Sequence, residues 1–230
     1  MADYQLLQDR IYNELRKKIL TGGLQAGTIY SETKLATELG VSKTPVKAAI
    51  LRLSQDHYIE ILPSRGFRLR ELSTEDIWEM FHIRTAIESY CASLLISGLS
   101  TRQGTETVLR LERCLAAEQK LSEQLDAAPD NHELLTIELE NNVTFHQSLI
   151  EYSGSTTMLK LFRSHCYSIL KSTAESYLTA PRLAEIHEEH SLIVSAIKEK
   201  NEIQCAHLIR NHMSATRDRN LRIIASRVGE

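Results

Sequence analysis

The hydrophobic pattern at the start of the chain predicts three short helices. An apolar stripe with a four-residue spacing defines the first of them and consists of Leu7, Ile11, Leu15 and Ile19. The pair Gly22-Gly23 then ends that helix. Ser31 is placed to cap a second helix that stops at Gly40, and Ser42 opens a third helix two residues later. Two helices joined by so tight a turn are typical of a helix-turn-helix.

The third helix has one apolar face and one polar face. Its apolar face is formed by Val46, Ala49, Ile50 and Leu53. Lys43 and Lys47 share the opposite face because they are four residues apart. Ser42 and Thr44 stand at the N-terminus, where hydroxyl and free N–H groups suit a phosphate oxygen. The pattern favours a face that enters a DNA groove, and the alternative for two such lysines is a solvated surface.

After the third helix, the apolar residues no longer follow a helical spacing but alternate with polar residues. The strings YIEIL and FRLREL predict two strands joined by the turn PSRG, which together would form a wing. Arg65 lies at the wing tip beside Gly66, from where it can reach the minor groove or the backbone. Ser73 and Asp76 form a capping box that opens a long helix. We therefore expect a winged helix-turn-helix domain over residues 1–72.

The remaining residues, 73–230, are predicted to be entirely helical. Breaks occur near residues 99–100, 128–130, 153–154, 180–181 and 200–201. Five breaks divide this region into six helices, and no alternating pattern remains among them. The expected fold is therefore mostly α, with an N-terminal winged helix-turn-helix followed by an all-α helical bundle domain.

The charge distribution separates the same two parts of the chain. The net charge is −3, but residues 1–72 carry 11 Lys/Arg and 8 Asp/Glu, and the rest carry 16 and 22. A basic first domain and an acidic second domain suit DNA binding by the first alone. No apolar run reaches the roughly 18 residues that a membrane helix needs, and the start MADYQLLQDR lacks the apolar centre of a signal peptide. We therefore expect a cytoplasmic protein with no membrane partner.

The first domain resembles the DNA-binding domain of the GntR superfamily over nearly all of residues 8–72. The resemblance is carried by LRKKILTGGLQAGTIYSETKLATELGVSKTPVKAAILRL and by the wing string YIEILPSRGF. It implies DNA contacts by the residues singled out above, namely Ser42, Lys43, Thr44, Lys47, Arg65 and Gly66. Lysine stands at both positions where the family has arginine, and it lacks the guanidinium fork that reads guanine. Ala48 replaces a usual glutamate, and Thr33 stands where a basic residue is common. These departures predict a less typical operator or greater reliance on phosphate contacts.

Three histidines fall on inward faces of three predicted helices. His146 lies four residues after Asn142, and His190 and His212 each follow an apolar stripe. Three such imidazoles can converge in a helical bundle and bind a metal. The alternative is that each is a hydrogen-bonded core histidine.

Residues 74–228 resemble the FCD-type ligand-binding domain of the FadR branch, in its six-helix, VanR-like form. The resemblance is carried by HIRTAIESYCASLL, NNVTFHQSLIEYSGS, EHSLIVSAI and IRNHM. It implies a homodimeric regulator, a repressor, that binds an inverted-repeat operator and a small organic acid effector.

The FCD resemblance also implies a divalent metal, with zinc, nickel or manganese as candidates. The family's ligands, an aspartate and three histidines, correspond to Asn142, His146, His190 and His212. Because an amide is a neutral and weaker ligand than a carboxylate, the ion would be held less tightly and would keep its double positive charge. Such a cation would attract an anionic effector.

Arg84 corresponds to an arginine that lines the effector pocket in this family, and it can bind a carboxylate through two N–H groups. The alternative is a surface salt bridge with Glu88, four residues later. His165 and His187 also fall near inward faces. A competing function is a metal-dependent hydrolase, for which Glu138 is the only candidate general base. An activator or an acyl-CoA sensor are the alternatives among regulators.

Overall fold

The computed structural model describes residues 2–20, 23–24, 27–129, 131–163 and 183–228. They form two compact units, of which the first ends at Leu72 and the second begins at Ser73. The helices and strands in chain order are α1 (Ala2–Leu20), α2 (Glu32–Glu38), α3 (Lys43–Gln55), β1 (Ile59–Leu62), β2 (Gly66–Leu69), α4 (Thr74–Ser97), α5 (Arg102–Ala127), α6 (His132–Tyr152), α7 (residues 156–163), α8 (Leu183–Lys198) and α9 (Glu202–Val228).

The helix-turn-helix of the first unit is formed by α2 and α3, and the sequence prediction is confirmed. Ser31 caps α2 by accepting a hydrogen bond from the Lys34 amide. Gly40 ends the helix in the left-handed conformation, with φ of 64°. The inward face of α3 is buried against α1, which contributes Ile11 and Leu15 to the same core. The opposite face of α3 is left to solvent.

The wing is an antiparallel hairpin that is hydrogen-bonded to Tyr30, two residues before α2. Ile59 lies opposite Leu69, and Leu62 lies opposite Gly66. Tyr30 forms an isolated bridge with Phe67, through N–H···O distances of 2.7 Å and 3.0 Å. The Phe67 ring is buried and stacks on Tyr30 at a centroid distance of 5.7 Å. This pairing fixes the wing relative to the helix-turn-helix.

The close approach of Tyr30 leaves no room for a side chain at the first residue of β2. Gly66 has φ of 118°, and a Cβ atom there would lie 2.1 Å from the Tyr30 carbonyl oxygen. We expect Gly66→Ala to lower the free energy of unfolding of this unit by about 3 kcal/mol or more, because strain and a backbone clash add. Gly40→Ala is the matched control, because Gly40 also has positive φ but no atom within 4 Å of its added Cβ. Denaturant unfolding followed by circular dichroism compares the two, and equal effects would rule out the clash.

The second unit contains only helices among its described residues, so the predicted fold class is confirmed. Ser73 and Asp76 form the predicted capping box at the start of α4. Helix α4 packs along α9, α5 packs against α6 and α8, and α8 packs against α9. The predicted break at 180–181 lies outside the described residues. Within the described part of the chain, no helix is both long and apolar enough to cross a membrane.

Candidate functional site

The three predicted histidines come together in the core of the second unit. Helices α6, α8 and α9 contribute His146, His190 and His212, and all three side chains are buried. One nitrogen from each ring lies within 4.8 Å of the other two. The ring centroids are 4.7 Å to 5.2 Å apart. The structure therefore assembles a donor set that can hold one metal ion.

Each imidazole in this cluster is backed by a glutamate at its Nδ1 atom. The pairs and their N···O distances are His146 with Glu88 at 2.6 Å, His190 with Glu118 at 2.8 Å, and His212 with Glu189 at 2.7 Å. A carboxylate that accepts from Nδ1–H fixes the tautomer and leaves the Nε2 lone pair for a metal. The Nε2 atom of His190 is buried and has no hydrogen-bond partner among the residues that the structure describes. This unpartnered atom favours a bound ion over a core of satisfied histidines.

Burial keeps the rings of His146 and His212 in the neutral form that binds metal. Desolvation lowers the pKa of His146 well below its usual value and that of His212 to about 4. Both imidazoles are therefore neutral at neutral pH. Three imidazole nitrogen donors with hydrogen-bonded carboxylates behind them suit zinc or another first-row transition metal.

The predicted fourth ligand lies one turn before His146 on the same helix. Asn142 is buried on α6. Glu138, the predicted candidate for a general base, is buried one further turn away. Burial, together with the charge of Glu118, raises the pKa of Glu138 to about 9, so the side chain is protonated at neutral pH. A protonated carboxyl cannot act as the general base of a hydrolase.

Arg84 does form the ion pair predicted as the alternative, but the pair is buried and not on the surface. Arg84 Nε lies 2.8 Å from Glu88 Oε1, with side-chain exposures of 3% and 1%. Burial would raise the pKa of Glu88, but Arg84 and His146 overcome it and hold the pKa at about 2. The Nη2 atom of Arg84 is buried and has no hydrogen-bond partner in the described part of the chain. Arg84 is thus connected to the histidine cluster through Glu88 and keeps a free N–H group.

Sequence analysis did not find the three glutamates behind the histidines. Glu88 was considered only as a partner of Arg84, and Glu118 carried no signal because it is 72 residues from His190. Glu189 is the neighbour of His190 in sequence but pairs with His212. His187 is half-buried, 3.6 Å from Glu118 Oε2, and His165 lies outside the described residues.

Most of the residues expected to face DNA are individually exposed in the first unit. Lys43, Thr44 and Lys47 are exposed on α3, and Arg65 is exposed at the wing turn. Ser42 occupies the N-cap position, but its hydroxyl makes no capping hydrogen bond. In the described part of the chain, no ion pair is formed by Lys43, Lys47 or Arg65. Other exposed arginines of the unit do form ion pairs. Those pairs are Arg52 with Asp9 and Arg68 with Glu60.

Both units match models of known families. The model described as bacterial regulatory proteins, gntR family, matches residues 7–69, and the FCD domain matches residues 79–215. This chain belongs to the GntR family of transcriptional regulators. The combination of a GntR helix-turn-helix with an FCD domain is that of the FadR branch.

Two relatives are named as transcriptional regulators, and a solved structure has the same fold. The uncharacterized HTH-type transcriptional regulator YdhC of Bacillus subtilis is 26% identical over 84% of this chain and 81% of its own length. The gluconate operon transcriptional repressor of Bacillus licheniformis is also 26% identical, over 84% of this chain and 76% of its own length. The structure of McbR/YncC from Escherichia coli has the same fold, with a TM-score of 0.69, 22% identity, and coverage of 96% of this chain and 98% of its own.

Membership of the GntR family decides between the two functions considered from the sequence, a transcription regulator and a metal-dependent hydrolase. The relatives reported above are named as transcriptional regulators, so the chain is a DNA-binding GntR regulator and the hydrolase hypothesis is wrong. The buried histidine cluster belongs to a regulator with an FCD domain and not to a hydrolytic centre.

Proposed function

We propose that this GntR regulator is a cytoplasmic repressor that binds an inverted-repeat operator as a homodimer and responds to a small carboxylate held beside a divalent metal. The single helix-turn-helix of each chain supports two-fold binding, because two recognition helices about one DNA turn apart occupy two half-sites. The relative named as a gluconate operon repressor supports repression. A modest rigid-body change between the subunits would suffice to release the operator.

The observation that carries the proposal is the set of three buried imidazoles, each of which is paired with a glutamate at its Nδ1 atom. His146, His190 and His212 would hold the metal, with the Asn142 amide oxygen as a further ligand. The carboxylates behind the imidazoles improve their donor strength without occupying a coordination position. All four ligands are uncharged, so the ion keeps its charge toward an incoming anion. The metal would supply an attraction for the effector's carboxylate.

Arg84 provides a second contact for the same carboxylate in this proposal. Its buried Nη2 atom needs an acceptor, and the described residues do not supply one. A guanidinium that donates to one oxygen of the effector while the metal binds the other would fix the orientation of the carboxylate. The buried pair with Glu88 holds Arg84 in place for this role.

The test compares carboxylate binding to metal-loaded wild type and two variants by calorimetric titration. We expect Arg84→Lys to weaken carboxylate binding about tenfold while metal is retained, because lysine keeps the charge and loses the fork. Lysine is used because alanine would leave Glu88 as an unpaired buried charge. Asn142→Asp should bind metal more tightly and the carboxylate more weakly, because an anionic ligand neutralises part of the ion's charge.

The matched control is Arg102→Lys. Arg102 forms the same type of pair with Glu106 four residues later, but on the surface, with side-chain exposures of 91% and 58%. It should change neither metal nor carboxylate affinity. Equal carboxylate affinities in wild type, Arg84→Lys and Asn142→Asp would refute a pocket shared by the metal and the arginine.

A further inference from the structure

Leu51 is an exposed leucine at the centre of the solvent-facing side of α3. Its side chain is 52% exposed. The buried side of the helix consists of Pro45, Val46, Ala49, Ile50 and Leu53. At 3.6 residues per turn, Leu51 and Thr44 both lie within about 20° of the direction opposite to the middle of this buried side. Leu51 therefore does not belong to the core of the first unit.

Four residues form the middle of the solvent-facing side, and we call them the α3 outer row. They are Thr44, Lys47, Ala48 and Leu51, at positions i, i+3, i+4 and i+7. Three of them are exposed, and Ala48 is half-buried. A helix that lies in the major groove can contact base edges through residues with this spacing. Thr44 and Leu51 are about 10 Å apart along the helix axis, which corresponds to about three base pairs.

The cation that follows Leu51 in sequence is directed away from the α3 outer row. Arg52 Nη1 lies 2.7 Å from Asp9 Oδ1, and the guanidinium lies over the Tyr12 ring at 4.0 Å from its centroid. The C-terminal half of the row is therefore apolar, with Ala48 and Leu51, whereas its N-terminal half is polar. A single exposed leucine is common on protein surfaces, so the position of Leu51 opposite the core, and not its exposure, points to a function.

We propose that Leu51 contacts the C5-methyl group of a thymine in the major groove and thereby determines one base pair of each half-site. This inference rests on the operator binding in the proposed function, because it places the α3 outer row in the groove. Among the groups that base pairs present in the major groove, the thymine methyl is the apolar one. Leucine forms no hydrogen bonds, so against a polar base edge it would displace water without replacing the water's hydrogen bonds. The methyl contact and this cost at other bases both favour thymine.

Leu51 and the two lysines of α3 would contribute differently to DNA binding. Lys43 and Lys47 would act on phosphates, which gives affinity that depends on salt and not on base sequence. A neutral side chain that contacts a base releases no counterions. We therefore expect Leu51→Ala to leave the slope of log K against log salt concentration unchanged while it weakens discrimination between bases.

The binding test compares thymine with uracil, which differs from it only by lacking the C5-methyl group. Duplexes that bind the full-length wild type tightly are first selected from a random-sequence pool, and uracil then replaces each thymine in turn. We expect one position per half-site at which uracil weakens wild-type binding about fourfold, the effect of one buried methyl group. At that position Leu51→Ala should bind the thymine duplex at least about fourfold more weakly than wild type does and should show no further loss with uracil.

Two further variants keep the test specific. Leu6→Ala is the matched control, because Leu6 is a 66% exposed leucine on α1, and it should bind both duplexes as the wild type does. In Leu51→Gln the new amide can pair with adenine through two hydrogen bonds, so a repeated selection should return adenine in place of thymine at this position. Because Leu51 is exposed, both of its variants should keep the wild-type thermal midpoint, which excludes a loss of fold.

The outcomes separate this inference from the DNA binding on which it rests. Equal weakening of wild type and Leu51→Ala by uracil at every thymine, or weakening of neither, would overturn the inference. A salt slope that still falls when Lys43 and Lys47 are both replaced would then leave this side of α3 as the DNA-binding surface. If neither the uracil effect nor the salt slope depends on these residues, α3 does not contact DNA through this side, and the premise fails together with the inference.

Discussion

Replacement of His190 by alanine is expected to weaken metal binding by at least about a hundredfold, because one of three imidazole ligands is lost. His190 has the strongest evidence for this role, since its Nε2 atom is buried and unpartnered while Glu118 holds its Nδ1 atom. A metal present at about a thousandfold excess over its Kd stabilises the folded state by about 4 kcal/mol. For a chain of this size that corresponds to a thermal midpoint about 10 °C higher with metal than without. At the same metal concentration the variant should lose about two thirds of this difference or more, because a tenfold excess over the weakened Kd stabilises by only about 1.4 kcal/mol.

The comparison must separate metal binding from packing, because His190 also stacks on Phe145 at a centroid distance of 4.0 Å. The measured quantity is therefore the midpoint with metal minus the midpoint with chelator, for each protein. His132→Ala removes an exposed imidazole at the start of α6 and should keep the full difference. A difference in His190→Ala as large as that of the wild type would place the metal elsewhere.

Replacement of both Lys43 and Lys47 by alanine is expected to remove most of the electrostatic part of DNA binding by the recognition helix. Both side chains are exposed on one face of α3 and carry no ion pair within the described residues. Each phosphate contact contributes about 0.9 to the slope of log K against log salt concentration, so the slope should fall by about 1.8. A duplex of arbitrary sequence suffices for this measurement, because the salt-dependent contribution does not depend on base sequence.

The control for the double lysine variant is Lys120→Ala, which removes one positive charge from the exposed surface of α5. It should leave the salt slope unchanged. Light scattering of the same samples should give a dimer for all three proteins, which shows that the lysines act on DNA and not on assembly. An unchanged slope in the double variant would mean that another surface of the first unit contacts DNA.

The elements of the first unit could be predicted because their determinants are local. The Ser31 cap, the left-handed Gly40 and the alternation of the wing each act within a few residues. The bridge from Tyr30 to Phe67 could not be predicted in this way, because it joins residues 37 positions apart that carry no pairing signal. The need for glycine at position 66 follows from that bridge, so it could not be predicted from the sequence either.

The histidine cluster could be predicted from helical faces, but its surroundings could not. Spacing places His146, His190 and His212 on inward faces, and the bundle then brings the faces together. Which carboxylate meets which imidazole depends on the rotation of each helix, which spacing does not determine. The burial of the Arg84–Glu88 pair could not be predicted either, because the four-residue spacing is the same for a surface pair and for a core pair.

Elemental analysis of full-length protein purified from metal-replete cells tests the central claim most directly. The arrangement of His146, His190 and His212 predicts about one divalent transition-metal ion per chain in wild type and in His132→Ala, and a near-complete loss in His190→Ala. Wild-type protein without a divalent metal under these conditions would contradict the claim and would leave the three histidines as hydrogen-bonded members of the core.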